Sequence, residues 1–281
     1  MSKNKNNENH SPDNSSDFRF FKNSSLQGLV SFKLSEKVLE GLQKPDLLLR
    51  DIELDKDSSS TTAGMIELNG NKYFLKRYNN KNFKRKLKNS LRQTRPFRVL
   101  KNSQILNAAG VFTPEIYAAL NYRHGLLVKS SYLLSSFLGS ATTVTKTIER
   151  LAGGKSFDIF ADKICELLLK IHDAGILHGD VKTSNIIFKP KSGDAYDLGL
   201  LDLDGSHCYS DALPAKKRSY DLARLISSYF LTCKHRSLEV QNLDELCECF
   251  AEKYCVMGGI ELSMERLVRR TKYLSSRVRK K

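Results

Sequence analysis

Three polar residues stand at a spacing that could hold a divalent cation beside a reacting group. Asp180 and Asn185 are five residues apart within Ile176–Phe188, and Asp202 follows seventeen residues after Asn185. Amide and carboxylate oxygens are the ligands that Mg²⁺ prefers. Phosphoryl transfer also needs an aligned acceptor hydroxyl, which Asp180 could accept a hydrogen bond from, and Lys182 could meet the transferring phosphate. We therefore predict Asp180 and Lys182 as catalytic residues, and Asn185 and Asp202 as ligands of Mg²⁺ and its nucleotide.

The neighbouring sequence predicts the elements that would position these side chains. Apolar residues repeat at three- and four-residue intervals from Phe157 to Ala174, which predicts an amphipathic helix, and Gly175 closes it. Two short strands are predicted at Ile186–Phe188 and Leu198–Leu203, around a turn at 190–195. The order of helix, HGDxKxxN loop, strand, turn, strand and acidic residue resembles the catalytic core of the protein-kinase-like superfamily.

Other interpretations of single residues in this segment remain open. Asp and Asn in loops often form turns, so any one of the three residues alone would be structural; their joint order favours the kinase-like core. His178 is interpreted as a structural histidine. Asp204 competes with Asp202 for the metal, and Asp202 is preferred because it occupies the first position of the resembled triplet. Gly179 stands where many regulated protein kinases carry arginine, which favours small-molecule, sugar or atypical kinases.

The N-terminal half contains a second candidate for nucleotide binding. Strands at 63–68 and 71–78 are separated by Asn69-Gly70, a dipeptide typical of a type I′ hairpin turn. The resemblance assigns Lys76, on the second strand, to the nucleotide's α- and β-phosphates; the alternative is an ordinary surface lysine. The preceding segment 58–64 is either a phosphate-covering loop without the glycine motif or a flexible loop.

A long basic segment follows the hairpin. No acidic residue occurs between Glu67 and Glu115, whereas twelve basic residues do. A helix is predicted at 97–109, ended by Gly110. Kinases usually pair the N-lobe lysine with a glutamate of this helix, and here the helix has none. This departure keeps open a kinase-fold protein that binds polyanions without catalysis.

Several segments together resemble the lipopolysaccharide kinase family, whose members phosphorylate Kdo or heptose of the inner core. They span about residues 70–230 and comprise Tyr73–Tyr78, the basic run through Arg98, Leu106–Pro114, Ile171–Asp180 and Ser219–Leu225. The resemblance implies ATP and Mg²⁺ as cofactors and lipopolysaccharide, or another anionic glycolipid, as substrate. A small atypical protein kinase remains an alternative, because the residues after Lys182 also occur in one such family.

Composition bounds the remaining expectations. The formal net charge of +15 implies a polyanionic partner, and no nucleic-acid partner is expected because no reading motif is present. Six cysteines without metal-ligand spacing predict free thiols in a reducing compartment, and the absence of a signal sequence or apolar span predicts a cytoplasmic protein. After Glu265 every charged residue is basic, which favours either peripheral contact with the inner face of an anionic membrane or a solvated helix with a frayed tail.

These observations predict an α+β, bilobal, protein-kinase-like fold. A disordered tail is expected at 1–17, where polar residues dominate. A small β-rich N-lobe is expected at 18–128, and a mainly helical C-lobe with a basic C-terminal end at 129–281.

Overall fold

The computed structural model of the protein describes residues 17–50, 52–80, 90, 92–139, 141–190 and 196–278. The chain divides into a first unit, residues 1–87 and 117–134, and a second unit, residues 88–116 and 135–281. Residues 88–116 thus belong to the second unit and residues 129–134 to the first. The sequence instead predicts a single boundary after residue 128. Several parts of the predictions lie outside the described residues: residues 1–16 of the predicted tail, residues 81–89 and 91 of the basic segment, residues 191–195 of the turn predicted at 190–195, and residues 279–281 of the basic C-terminal end.

The first unit is built on a seven-stranded sheet with strand order β1-β2-β6-β7-β5-β4-β3. Its strands are β1 (Phe18–Lys22), β2 (Leu26–Ser31), β3 (Leu54–Asp57), β4 (Thr61–Leu68), β5 (Asn71–Asn79), β6 (Ile116–His124) and β7 (Leu127–Ser136). Two short helices, α1 (Glu36–Gly41) and α2 (Pro45–Leu48), lie between β2 and β3. Apolar residues of α1 and of the sheet share one core, with Val38, Leu75 and Leu134 each almost completely buried. Burial of this apolar surface holds α1 on the sheet.

The predicted hairpin between β4 and β5 is confirmed. Asn69 and Gly70 have φ values of 51° and 73°, the left-handed values that a type I′ turn requires, and Leu68 pairs with Asn71. On β5, Tyr73 and Leu75 are buried in the core, so alternation places Lys76 on the opposite face, half-buried and paired with Ala63.

The second unit is mainly helical. Its helices are α3 (Arg95–Ala108), α4 (Val144–Leu151), α5 (Gly154–Asp173), α6 (Ala215–His235), α7 (Leu243–Gly258) and α8 (Met264–Val278). Two antiparallel ribbons accompany them, formed by β8 (Ile176–Leu177) with β11 (His207–Cys208) and by β9 (Ile186–Pro190) with β10 (Tyr196–Leu200). Two 3₁₀ turns lie at Thr183–Asn185 and Leu203–Gly205.

Aromatic packing joins α5, α6 and α7 into one core. The ring of Tyr229 lies 5.6 Å from Phe157 and 5.7 Å from Phe160, and Phe157 is 5.8 Å from Phe250. Such ring pairs add to the free energy gained from burying apolar surface. This core fixes α5 and α6, the two helices that flank the loop leading to β9.

All six cysteines are free thiols, as predicted. Burial raises the pKa of the Cys165 thiol to about 12, so this thiol stays protonated and unreactive.

Candidate active site

The loop between β8 and β9 is held by the buried carboxylate of Asp221 on α6. Its Oδ2 and Oδ1 accept hydrogen bonds from the backbone N–H groups of His178 and Gly179, at 2.8 and 2.9 Å. Oδ2 also lies 3.4 Å from Nε2 of His172, whose pKa is lowered by burial. Asp221 therefore anchors the backbone immediately before Asp180 to the helical core.

Glycine is required at position 179 by two features of the loop. Its φ is 77°, which L side chains rarely adopt, and a Cβ there would lie 3.1 Å from the carbonyl oxygen of Gly205. A side chain at this position would therefore strain the loop and press on the turn that follows Asp202. This accounts for Gly179 in the place where regulated protein kinases carry arginine.

His178 connects the loop to the end of β10. Its Nε2 lies 3.1 Å from the carbonyl oxygen of Leu201, and its Nδ1 accepts a hydrogen bond from the backbone N–H of Asp180 at 3.3 Å. Because Nδ1 accepts, Nε2 carries the hydrogen and donates it. Both ring nitrogens are thus used in backbone contacts, which agrees with the structural role interpreted for this residue.

Asp180 is bound by two cations. Lys182 Nζ lies 3.0 Å from Oδ2, and the guanidinium of Arg224 donates to Oδ1. Partial burial raises the pKa of Asp180, but the hydrogen bonds from Lys182 and Arg224 outweigh burial, so its pKa lies below the ordinary value. The carboxylate is therefore ionised at neutral pH and able to accept a hydrogen bond from a hydroxyl group.

Asn185 has a fixed amide orientation and lies next to Asp202 in the backbone hydrogen-bond pattern. Its side-chain Nδ2 donates to the backbone carbonyl oxygen of Asp180 at 3.0 Å. Its backbone carbonyl oxygen accepts from the backbone N–H of Leu201 at 2.8 Å. Asp202 follows with a φ of 53°, a left-handed conformation uncommon outside glycine. The bond to Leu201 brings the loop residue Asn185 beside the segment that carries Asp202.

The predicted second strand is shorter than the pattern indicated. β10 ends at Leu200, because the left-handed backbone at Asp202 and the 3₁₀ turn at Leu203–Gly205 end the extended conformation. Asp202 thus precedes this turn instead of lying within a strand.

The donor set of Asn185 and Asp202 suits Mg²⁺. One amide and one carboxylate supply two hard oxygen ligands, and Mg²⁺ usually completes its shell with phosphate oxygens and waters. Within the described residues there is no cluster of three or more His, Cys, Asp or Glu side chains that could hold a metal without such outside ligands.

Helix α3 is attached to the turn after Asp202 by neutral acceptors. Arg98 donates to the carbonyl oxygen of Asp204 at 3.0 Å, and Asn102 Nδ2 donates to Ser206 Oγ at 2.8 Å. Ser206 Oγ in turn donates to the carbonyl oxygen of Leu203. These bonds explain why residues 88–116 belong to the second unit. They attach α3 to the turn through arginine and asparagine side chains, so this attachment needs no glutamate.

Lys76 lies on β5 of the first unit, while the other four predicted site residues lie in the second unit. In the segment before β5, residues 61–64 belong to β4, so only 58–60 form a turn. Ser58 Oγ closes this turn with two bonds of 3.0 and 3.1 Å to the backbone of Thr61. The segment predicted as either a phosphate-covering loop or a flexible loop is therefore mostly strand, with a short turn between β3 and β4.

The sequence prediction missed two residues of the site, Asp221 and Arg224. Both lie on α6, and Ser228 on the same helix accepts from the N–H of Thr183 at 3.1 Å. The spacing of three and four residues places all three on one helix face. This spacing was visible in the sequence and shows that the three residues share a face, but it does not show which part of the chain that face contacts.

Comparison with known proteins relates this site to kinases. A model of the lipopolysaccharide kinase (Kdo/WaaP) family matches residues 43–250. The solved structure of WaaP in complex with acyl carrier protein is similar, with a TM-score of 0.59 and 16% sequence identity over 88% of this chain and 97% of that chain. The Rio2 kinase from Chaetomium thermophilum, in an ADP/Mg²⁺-phosphoaspartate complex, has a TM-score of 0.46 and 11% identity over 95% of this chain and 81% of that chain.

Among curated proteins, none has a sequence that matches this one. The likeness to WaaP confirms the predicted α+β, protein-kinase-like fold, with a strand-rich N-terminal part and a helical C-terminal part.

Proposed function

Because the chain belongs to the lipopolysaccharide kinase (Kdo/WaaP) family and is therefore an ATP-dependent phosphotransferase, we propose that its acceptor is a hydroxyl of Kdo or heptose in the inner core of lipopolysaccharide. The proposal includes Mg²⁺ as the metal and Asp180, Lys182, Lys76, Asn185 and Asp202 as the site residues.

The observation that carries this proposal is the ionised carboxylate of Asp180 on a loop fixed by Asp221. A fixed carboxylate orients an acceptor hydroxyl by accepting its hydrogen bond, and orientation is a large part of catalysis in phosphoryl transfer. Lys182, 3.0 Å from Asp180, places a positive charge beside the phosphate being transferred.

Asn185 and Asp202 would hold Mg²⁺, and Lys76 would contact the α- and β-phosphates. A bound Mg²⁺ supplies charge neutralisation at the phosphate oxygens. The amide of Asn185 is oriented for this task, since its nitrogen donates to the carbonyl oxygen of Asp180. The left-handed backbone at Asp202 sets the direction of its carboxylate relative to the following turn.

The location that fits this substrate is the cytoplasmic side of the inner membrane, with peripheral contact to anionic lipid. In the described part of the chain, none of the helices combines the length and the apolar composition that crossing a bilayer requires. The net charge of +15 would attract the chain to an anionic glycolipid surface.

Mass spectrometry of core oligosaccharide tests the proposal. Cells without the protein should lack one phosphate on Kdo or heptose, and expression of the wild-type chain should restore it. Asp180→Asn should keep ATP binding and the fold but fail to restore the phosphate, because an amide at this position is a poorer acceptor for the hydroxyl hydrogen. Asp211→Asn, an exposed residue of the same unit, is the matched control and should restore it.

Other results would contradict the proposal. Phosphate that appears on protein, with none on the oligosaccharide, would identify a protein kinase. Binding of polyanions without any phosphoryl transfer would identify a kinase fold that has no catalytic function.

A further inference from the structure

A basic pocket lies between α6 and α8, outside the residues assigned to catalysis. Its volume is about 440 Å³. Four cations and two aromatic rings line it, with no acidic residue among the lining side chains: Lys216, Arg266, Arg269, Arg270, Tyr220 and Tyr273. Four positive charges around one cavity repel one another, and an anionic ligand would relieve that repulsion.

Arg270 is the most ordered cation of the basic pocket. Its guanidinium carbon lies 4.6 Å from the ring centroid of Tyr220 and 5.5 Å from that of Tyr273. Stacking on two rings fixes the plane of the guanidinium, and a fixed plane suits two-point binding of phosphate or carboxylate oxygens. Its Nε is buried and has no hydrogen-bond partner among the described residues; four other arginines share this feature, so the stacking and the surrounding charge, and not this atom, carry the argument.

The basic pocket is connected to the candidate catalytic loop through Tyr220 and Arg224. The guanidinium of Arg224 lies 5.9 Å from the ring centroid of Tyr220, and it also binds the carboxylate of Asp180. Tyr220 therefore lies between Arg224, the partner of Asp180, and the cations of the pocket. Because Arg224 and Tyr220 lie between Asp180 and the pocket cations, the pocket would receive a more distant group of the molecule whose hydroxyl lies at Asp180.

We infer that the basic pocket binds an anionic group, phosphate or carboxylate, of the acceptor glycolipid and so selects the sugar presented to Asp180. This inference rests on the proposed function for the identity of the acceptor. Its observable basis is the convergence of four cations, three of them exposed and Arg270 half-buried and stacked on two rings, beside the partner of Asp180. The pocket would act in substrate positioning, while the chemistry stays at the loop.

The test uses Arg266→Glu/Arg269→Glu in the full chain. Both side chains are exposed, and the only ion pair between them and a described acid, Arg269 with Glu265 at 4.0 Å, is too exposed to stabilise the fold. The matched control is Lys155→Glu/Lys170→Glu, which makes the same change in net charge at two exposed residues of α5 that do not line the pocket.

Binding of deacylated core oligosaccharide is measured by calorimetry in three forms: intact, dephosphorylated, and reduced at its carboxyl groups. Wild type and control should bind the intact form alike, and Arg266→Glu/Arg269→Glu should bind it about tenfold or more weakly, since charge-assisted bonds are lost. The wild type should bind either the dephosphorylated or the carboxyl-reduced oligosaccharide as weakly as Arg266→Glu/Arg269→Glu binds the intact form. Loss on dephosphorylation identifies phosphate as the ligand, and loss on carboxyl reduction identifies carboxylate.

Three results would overturn the inference: no binding of the intact form by wild type, equal weakening in variant and control, or wild-type binding that is unchanged by both modifications. Binding is measured without ATP, so the measurement does not depend on phosphoryl transfer. If binding depends on the anion but no phosphate reaches the sugar, the pocket stands and the proposed reaction fails. If the sugar is phosphorylated with an unchanged KM in Arg266→Glu/Arg269→Glu, the reaction stands and the pocket fails.

Discussion

At the residue scale, the ionisation of Asp180 depends on its cationic partners. Burial raises the pKa of Asp180, but Lys182 and Arg224 lower it by more. The carboxylate therefore remains charged at a pH of about 3.9, where an ordinary aspartate is half protonated. A depressed pKa in the folded state also means that this contribution to stability is present above that range and is lost as pH falls further.

Replacement of Arg224 should therefore raise the pKa of Asp180. In Arg224→Gln the charge is removed while a hydrogen-bond donor is kept, and Lys182 alone remains to favour the carboxylate. Carbon-13 NMR titration of the aspartate carboxyl groups measures the shift without requiring activity, and the signal missing in Asp180→Asn assigns the residue. An unchanged titration would mean that Arg224 does not contact Asp180 in solution.

The metal assignment makes a second residue-scale prediction. Asp202→Ala should reduce Mg²⁺-dependent nucleotide turnover by several orders of magnitude, because it removes the charged member of the proposed metal pair. Asp204→Ala should retain more activity than Asp202→Ala, because it leaves the proposed metal pair intact and keeps the backbone carbonyl that accepts from Arg98. Steady-state ADP release across a Mg²⁺ series distinguishes the two. Greater loss in Asp204→Ala would transfer the metal role to that residue.

At the element scale, α6 positions the loop through a single face. Asp221, Arg224, Ser228 and Thr232 follow one another at intervals of three or four residues, and each contacts a residue of 178–183. Thr183 also accepts or shares hydrogen bonds with Ser228 and Thr232, which fixes the 3₁₀ turn at Asn185. The loop is therefore supported by helix side chains along its whole length.

Asp221→Ala should destabilise the second unit. The buried N–H of His178 and the half-buried N–H of Gly179 lose their acceptor, which costs about 3 kcal/mol in the free energy of unfolding. Asp221→Asn keeps one oxygen acceptor and should cost less. Urea unfolding followed by circular dichroism gives both values, with Asp211→Ala as an exposed control. Equal stability of wild type and Asp221→Ala would contradict the anchoring role.

The local pattern of the sequence was sufficient to predict α3, α5, the β4–β5 hairpin and the loop of Asp180 and Asn185. Periodicity and turn residues act over a few positions, so they specify such elements directly. The strands and short helices before β4 were not predicted, and neither was the attachment of α3 to residues 203–206. Asp221 and Arg224 were missed as site residues because the partner of a helix face is set by tertiary packing, which periodicity does not contain.

At the scale of the whole molecule, the excess positive charge should govern association with membranes. Binding to vesicles that contain lipopolysaccharide or anionic lipid should weaken steeply as salt rises from low to physiological concentration, because screening shortens the range of the attraction to about 8 Å. Vesicle sedimentation over a salt series measures the effect, with zwitterionic vesicles as the control. Binding that does not change with salt would indicate apolar insertion instead.

The double contact of Asp180 has a consequence for the fate of ATP when no sugar is present. With one carboxylate oxygen held by Lys182 and the other by Arg224, an acceptor must compete with these two contacts, and a single water molecule gains less from that competition than a sugar held by several contacts. Idle hydrolysis would then be slow, and nucleotide would be conserved until an acceptor hydroxyl is delivered in line. The two cations would thus limit the consumption of ATP that is not coupled to phosphorylation of the acceptor.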